Sequence, residues 1–186
     1  MLDGVASSGL LGPVSVLVVL GLWMLGAHNR ITTLRGAVLA AWAPVELALQ
    51  QRAQALASLL ALSGQALDSE RAAIDAVLAA QAQVVQHTEV LRRRPLQRDA
   101  VVDLSKADAV LAATLPRLLA LVDHQTALRG QSDVKSALAA LDESRPRLLF
   151  ARQAFNAAGQ AYNTAVLQFP TRLLGPVFRF GQAGTL

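Results

Sequence analysis

Apolar residues recur at alternating spacings of three and four along the run from His28 to Ser63. Ile31, Val38, Trp42, Val45, Leu49, Leu56 and Leu59 carry the pattern. At 3.6 residues per turn they form one stripe of a long helix, and so long a stripe has to be buried against other helices. Arg35 and Arg52 fall on the same stripe. A charge on a buried seam is costly unless it is paired.

Composition points the same way. Hydrophobic residues make up 53% of the chain and aromatics only 4%, with Ala and Leu dominant. Strands draw on β-branched and aromatic residues, so this balance favours helices. The formal net charge of +4 suits a protein beside anionic lipid but is too small to argue for nucleic acid. The chain has no cysteine, which excludes disulfides and Cys-ligated metal sites.

Gly9 to Ala27 is a run of nineteen residues without a charge. That length crosses a hydrocarbon core of roughly 30 Å. Pro13 sits in its first turn, where a missing N–H matters least. Trp23 lies near the exit, where an indole suits the interface. A cleaved signal peptide is the weaker reading, because residues 1–8 hold no Lys or Arg. Asp3 precedes the run, whereas Arg30 and Arg35 follow it. The positive-inside rule then puts the N-terminus outside and the rest in the cytoplasm. The chain divides into a short tail at 1–8, a transmembrane helix at 9–27, a helical body at 28–169 and a C-terminal tail at 170–186.

The first helix of the body spans 28–63, with a kink predicted at Pro44 and Gly64 as a left-handed cap. The second spans 68–93, with Leu67, Ile74, Leu78 and Val85 as its stripe. Arg92, Arg93, Arg94 and Pro95 close it, cations suiting a helix C-terminus. The third spans 98–125. Val101, Leu104, Leu111, Leu115, Leu118 and Val122 share one face, Asp108 interrupts it and Pro116 marks a second kink. The stretch 123–132 reads as a loop, with Ser132 and Asp133 as capping candidates. The fourth helix spans 133–168 on Val134, Leu138, Leu141, Leu148, Phe155, Tyr162, Val166 and Phe169, with Arg145, Arg152 and Gly159 filling the grid. Pro146 is a candidate break, with Ser144 capping the later half. Four amphipathic helices with short connections predict an all-α, antiparallel up-and-down four-helix bundle behind a single transmembrane helix. The tail, with Phe178, Arg179 and Phe180, either lies at the bilayer surface or packs back onto the bundle.

These residues resemble the LemA family of bacterial proteins over nearly the whole chain after the anchor. His28-Asn29 stands for the family's Tyr-Asn after the membrane segment. Ala41-Trp42 and Val45-Glu46 stand for its Ala-Trp and Ile-Asp, continued by Leu49 and Arg52-Ala53. Glu70 matches a glutamate early in the second helix. Leu118 to Asp123 resembles a segment ending in Glu, followed by Leu128-Arg129. The most specific match is Ala151 to Asn156, with Arg152 inside it, followed by Ala161-Tyr162-Asn163 and Phe169-Pro170. Departures include His28 and Phe155 for tyrosines, Gln54, Ala57 and Ser58 for Asp, Pro and Asn, Arg145 for a common glutamate, and the unusual Pro44 and Pro146. The resemblance implies a helical-bundle fold and a single N-terminal anchor, and it carries no established biochemical activity over to this chain.

No residue set argues for chemistry. His28, His87 and His124 have no second ligand at metal spacing on a shared helix face, apart from His124 beside Asp123 in a loop. No nucleophile elbow or phosphate loop is present. Asp68 and Glu70, like Asp142 and Glu143, read as helix-start charges. No cofactor, metal or small-molecule substrate is expected. Arg92 to Arg94 are either a solvated helix end or a site for lipid phosphate, with no aromatic platform for nucleic acid. Counting from the turns places Arg152, Asp108 and Trp42 at similar heights, so Arg152 either pairs with Asp108 beside Trp42 or snorkels outward. Asn29, Asn156 and Asn163 are expected to bond to backbone near Tyr162. The leading functional expectation is a membrane-anchored, non-enzymatic scaffold at the bacterial inner membrane, acting on a membrane-associated protein partner. The alternative is a lipid-interacting module working through Arg92 to Arg94 and the tail.

Overall fold

The computed structural model describes residues 5–64, 66–168 and 181–186, with side chains from residue 13 onward. Its first element, α1, runs unbroken from Val5 to Ser63, roughly 88 Å of helix at 1.5 Å per residue. A 3-10 turn at Asp68–Glu70 leads into α2 (Arg71–Arg93), followed by α3 (Arg98–His124), the short α4 (Thr126–Arg129) and α5 (Ser132–Leu167). Among the described residues there is no strand.

The two ends of α1 live in different surroundings. Val14, Leu17, Val19, Leu22 and Leu25 are exposed, and from Ile31 onward the stripe is buried. Among the described residues α1 is the one helix long and apolar enough to cross a membrane. The boundary drawn at residue 28 is therefore not a break in the backbone. It is the point where apolar residues stop ringing the helix and gather on one side, and the hydrogen-bond ladder runs straight through it. Helix also begins at Val5, inside the segment read as a tail.

One core joins α1, α2, α3 and α5. Val38, Trp42, Val45, Leu56 and Leu59 meet Leu104, Leu111, Leu118, Leu141, Leu148 and Phe155. α1 lies along α5 and α2 along α3. Both pairs are antiparallel. Arg30 and Leu34 face Ala161 and Thr164, whereas Ser58 and Leu62 face Asp133 and Ala137. Arg117 of α3 reaches back to Glu70 at the start of α2.

Several local expectations need correction. The buried stripe of α2 is Ala73, Val77, Ala80, Val84 and Leu91, one residue round from the expected one. Leu78 and Val85 are exposed and Ile74 is half-buried. Small residues allow the closely packed neighbour to approach, and one residue on a helix is about 100° of rotation. α4 occupies the stretch read as a loop. Pro146, the candidate break, lies inside unbroken helix, and helix also continues through Pro44 and Pro116. Ser144 caps nothing; its hydroxyl donates to the Leu141 carbonyl at 2.6 Å inside the helix. Gln131, not Ser132 or Asp133, holds the N-cap position of α5 and gives no side-chain cap. Gly64 ends α1 without a left-handed backbone. Tertiary packing holds these ends and the three missing proline N–H groups, each of which costs a helix interior about 3 kcal/mol when alone.

Candidate functional site

The only carboxylate buried among the described residues, Asp108, sits at the centre of the core. Arg52 of α1 donates to its Oδ1, and Nη2 of Arg152 of α5 lies 2.6 Å from its Oδ2. Arg52 and Asp108 are each only 6% exposed, whereas the Arg152 side chain keeps 25% of its surface. Three helices thus meet through one ion triad. The stripe of α1 puts Arg52 in contact, and the charge that interrupts the face of α3 is its partner. Counting on seam heights reaches Arg152 and Asp108 but misses Arg52 as the second donor. The signal for it was on the stripe of α1 itself. Arg35, on the same stripe, is exposed, and Arg145 points outward to Asp142.

Two forces act on Asp108. Burial pushes its carboxyl up, but the guanidinium of Arg52, and then that of Arg152, outweigh burial and hold it below the usual carboxylate range. Such a depressed group adds stability that is fully present above the unfolded value near 4 and is lost as pH falls toward the folded value. The stability gap between the natural chain and Asp108→Asn is therefore expected to close below about pH 4, since protonated Asp resembles Asn. Urea unfolding between neutral and acidic pH measures it. A gap that stays constant would remove Asp108 from the acid response.

One turn along α5, Phe155 is fully buried and meets Trp42 of α1 edge-on, ring centroids 6.1 Å apart. Among the described residues the Trp42 indole N–H meets no acceptor, so within them Trp42 contributes area and ring geometry rather than a hydrogen bond. Tyr162 is buried two turns further on, which raises its phenol pKa, and Arg35 opposes that rise.

A second constellation lies on another face of α5. The Asn163 amide donates to the Ala183 carbonyl at 2.9 Å and accepts from the Ala183 N–H at 2.7 Å. Asn156 holds the N–H and C=O of Leu186 in the same way, both at 2.8 Å. The backbone caught is thus that of 183–186, not that near Tyr162. Of the two placements left open for the tail, this part packs on the helices. Phe178, Arg179 and Phe180, and with them Phe169 and Pro170, lie outside the described residues. Asn163→Ala would remove two hydrogen bonds, about 1–2 kcal/mol of docking. Hydrogen exchange at Ala183 should then speed up by roughly tenfold; an unchanged rate would mean that Asn163 does not hold the segment.

The remaining candidates are peripheral. Asn29 is exposed, and its carbonyl accepts from Thr32 and Thr33. Glu46 is half-buried and 3.5 Å from Arg92. Arg92 and Arg93 also pair with Glu89, while Arg94 is exposed. Among the described residues no group of His, Cys, Asp or Glu is placed to hold a metal ion.

The profile of the LemA family matches residues 41–186, from the residue before Trp42 through the docked segment. The chain belongs to the LemA family. No curated protein matches it. Several residues that carry the LemA resemblance have structural tasks here: Arg52 and Arg152 neutralise Asp108, Trp42 meets Phe155, and Asn156 and Asn163 fasten the closing segment.

Proposed function

We propose that the chain is a membrane-tethered, non-enzymatic helical bundle that acts through protein contacts at the bacterial inner membrane. The observation that carries the reading is α1, a single rod whose exposed apolar half runs without a joint into a half buried in the core. A jointless rod holds the body at a set angle and distance from the bilayer. We read α1, α2, α3 and α5 as an antiparallel up-and-down bundle spanning 28–169, with 9–27 in the membrane and the N-terminus outside.

Contact surfaces support a scaffold role. Leu49 and Ala53 of α1, with Val84 and Val85 of α2, line a groove of about 250 Å³. Leu78, two turns before Val85 on the same face of α2, is exposed as well. Apolar grooves rimmed by charge suit partner helices. Residues Arg92 to Arg94 favour the lipid reading less. Arg92 faces Glu46, which lies eighteen residues beyond His28, about 27 Å of helix away from the apolar run.

Cross-linking from native membranes tests the contact reading. Photoreactive residues at Leu78 and Val85 should capture a protein, and the same residue at Arg94 should not. Lipid adducts at all three sites would overturn the reading in favour of the lipid module. Orientation is tested by introduced thiols, which stand alone because the chain has no cysteine. Ser7→Cys should react with a membrane-impermeant maleimide on spheroplasts, and Gln153→Cys only after lysis. The reverse pattern would place the body outside.

A further inference from the structure

The face of α5 that carries Asn156, Gly159 and Asn163 reads peptide backbone. Each asparagine amide engages both the N–H and the C=O of a single residue, Ala183 or Leu186. Two turns of helix separate the asparagines, about 10.5 Å. Three residues separate their partners, and a near-extended chain covers that distance at about 3.3 Å per residue. The two steps match, so a helix with Asn at a seven-residue spacing grips every third residue of a near-extended segment.

Between the grips the chain is selected by size. The position a Cβ of Gly159 would take is 3.5 Å from the Gly184 carbonyl and 3.7 Å from the Ala183 Cβ. A Cβ on Gly184 would come within 2.7 Å of the Val101 Cβ and 3.0 Å of the Arg98 carbonyl on α3. The segment is thus pressed between α5 and the start of α3. Ala183 is buried, which suits a small residue there, and only glycine fits at 184. Thr185 points out, and Leu186 packs against the core.

We propose that this face of α5, together with the Arg98–Val101 edge of α3, is a binding groove for near-extended peptides of the pattern Ala-Gly-x-Leu. Residues 183–186 are its resident, exchangeable occupant, and the same segment of a second copy is the ligand it takes in trans. The groove works whether or not α1 is in a membrane, so it stands independently of the scaffold reading.

The test uses the full chain in detergent and a capped, fluorescent peptide Gly-Gln-Ala-Gly-Thr-Leu, acetylated and amidated. Gly184→Leu evicts the resident segment. The peptide should bind this variant at least about tenfold more tightly than the natural chain, whose groove is occupied for most of the time. Adding Asn163→Ala should weaken binding by roughly tenfold, and a peptide with Leu at its second Gly should not bind. No binding to the evicted chain, or equal binding of the Leu peptide, overturns the proposal. If Gly184→Leu loses its helical circular dichroism, the natural chain serves instead. A peptide with a photoreactive group at the exposed Thr185 position, supplied at high concentration, should label α5 and be competed by unlabelled peptide. Labelling that is absent or uncompeted overturns the proposal.

Discussion

Asp108→Ala is expected to destabilise the protein by about 3–5 kcal/mol, because it strands the buried charge of Arg52 and the half-buried charge of Arg152 without a counter-ion. A buried pair in place is worth little, since desolvation offsets most of its attraction; breaking it from one side is costly because the remaining charge has nowhere to go. The two arginines are not equivalent. Arg152 keeps a quarter of its side-chain surface and can turn toward water, so Arg152→Met should cost clearly less than Asp108→Ala. Arg52 has no such route. Replacing all three together by Met, Leu and Met should restore stability to near the natural value or above it, as apolar substitutes for buried triads often do. Urea unfolding in a mild detergent measures each step. An Asp108→Ala cost under about 1 kcal/mol, the range of an exposed ion pair, would mean that water reaches the triad and that it does not join three helices.

Phe155→Ala is the second large effect, about 3–5 kcal/mol for a fully buried aromatic. The ring sits between the faces of α1 and α5, so its loss leaves a cavity that two long helices cannot both close. It also removes the edge-on partner of Trp42. With Trp23→Phe as background, so that Trp42 is the one indole left, its near-ultraviolet circular dichroism should fall sharply while helix content stays. A small stability loss with an unchanged indole signal would show that Trp42 is held by other neighbours. Phe155→Tyr is the informative contrast. The resemblance marks this position as commonly tyrosine, but here a hydroxyl would need an acceptor in a site where, among the described residues, the Trp42 N–H already meets none. The conservative change should therefore still cost about 1–3 kcal/mol.

Several elements are legible in the sequence itself. Three-four spacing located α2, α3, α5 and the C-terminal end of α1 to within a few residues. The stripes of α1 and α3 are buried as expected at Ile31, Val38, Trp42 and Val45, and at Val101, Leu104, Leu111 and Leu118. Those stripes are built mostly from large side chains, with only scattered ones such as Leu39, Leu47 and Val110 left outside, which favours one solution. α2 is different. Its apolar residues, mostly Ala and Val with a few Leu, surround more than half the helix, so two adjacent stripes fit the same letters. The choice between them fell to the small residues that let α3 approach.

Periodicity is a local property, since hydrogen bonds and side-chain spacing repeat within a few residues of one another. It therefore determined that the chain is helical, where the apolar run lies, and which residues of α1 and α3 face inward. Partnership between distant side chains is set by how far each helix slides along its neighbours, a sum over turns that no local pattern contains. Only the tertiary structure decided that Arg52 joins Arg152 on Asp108, that α1 runs unbroken from its exposed apolar segment into its buried stripe, and that Asn156 and Asn163 hold residues twenty or more positions further along the chain.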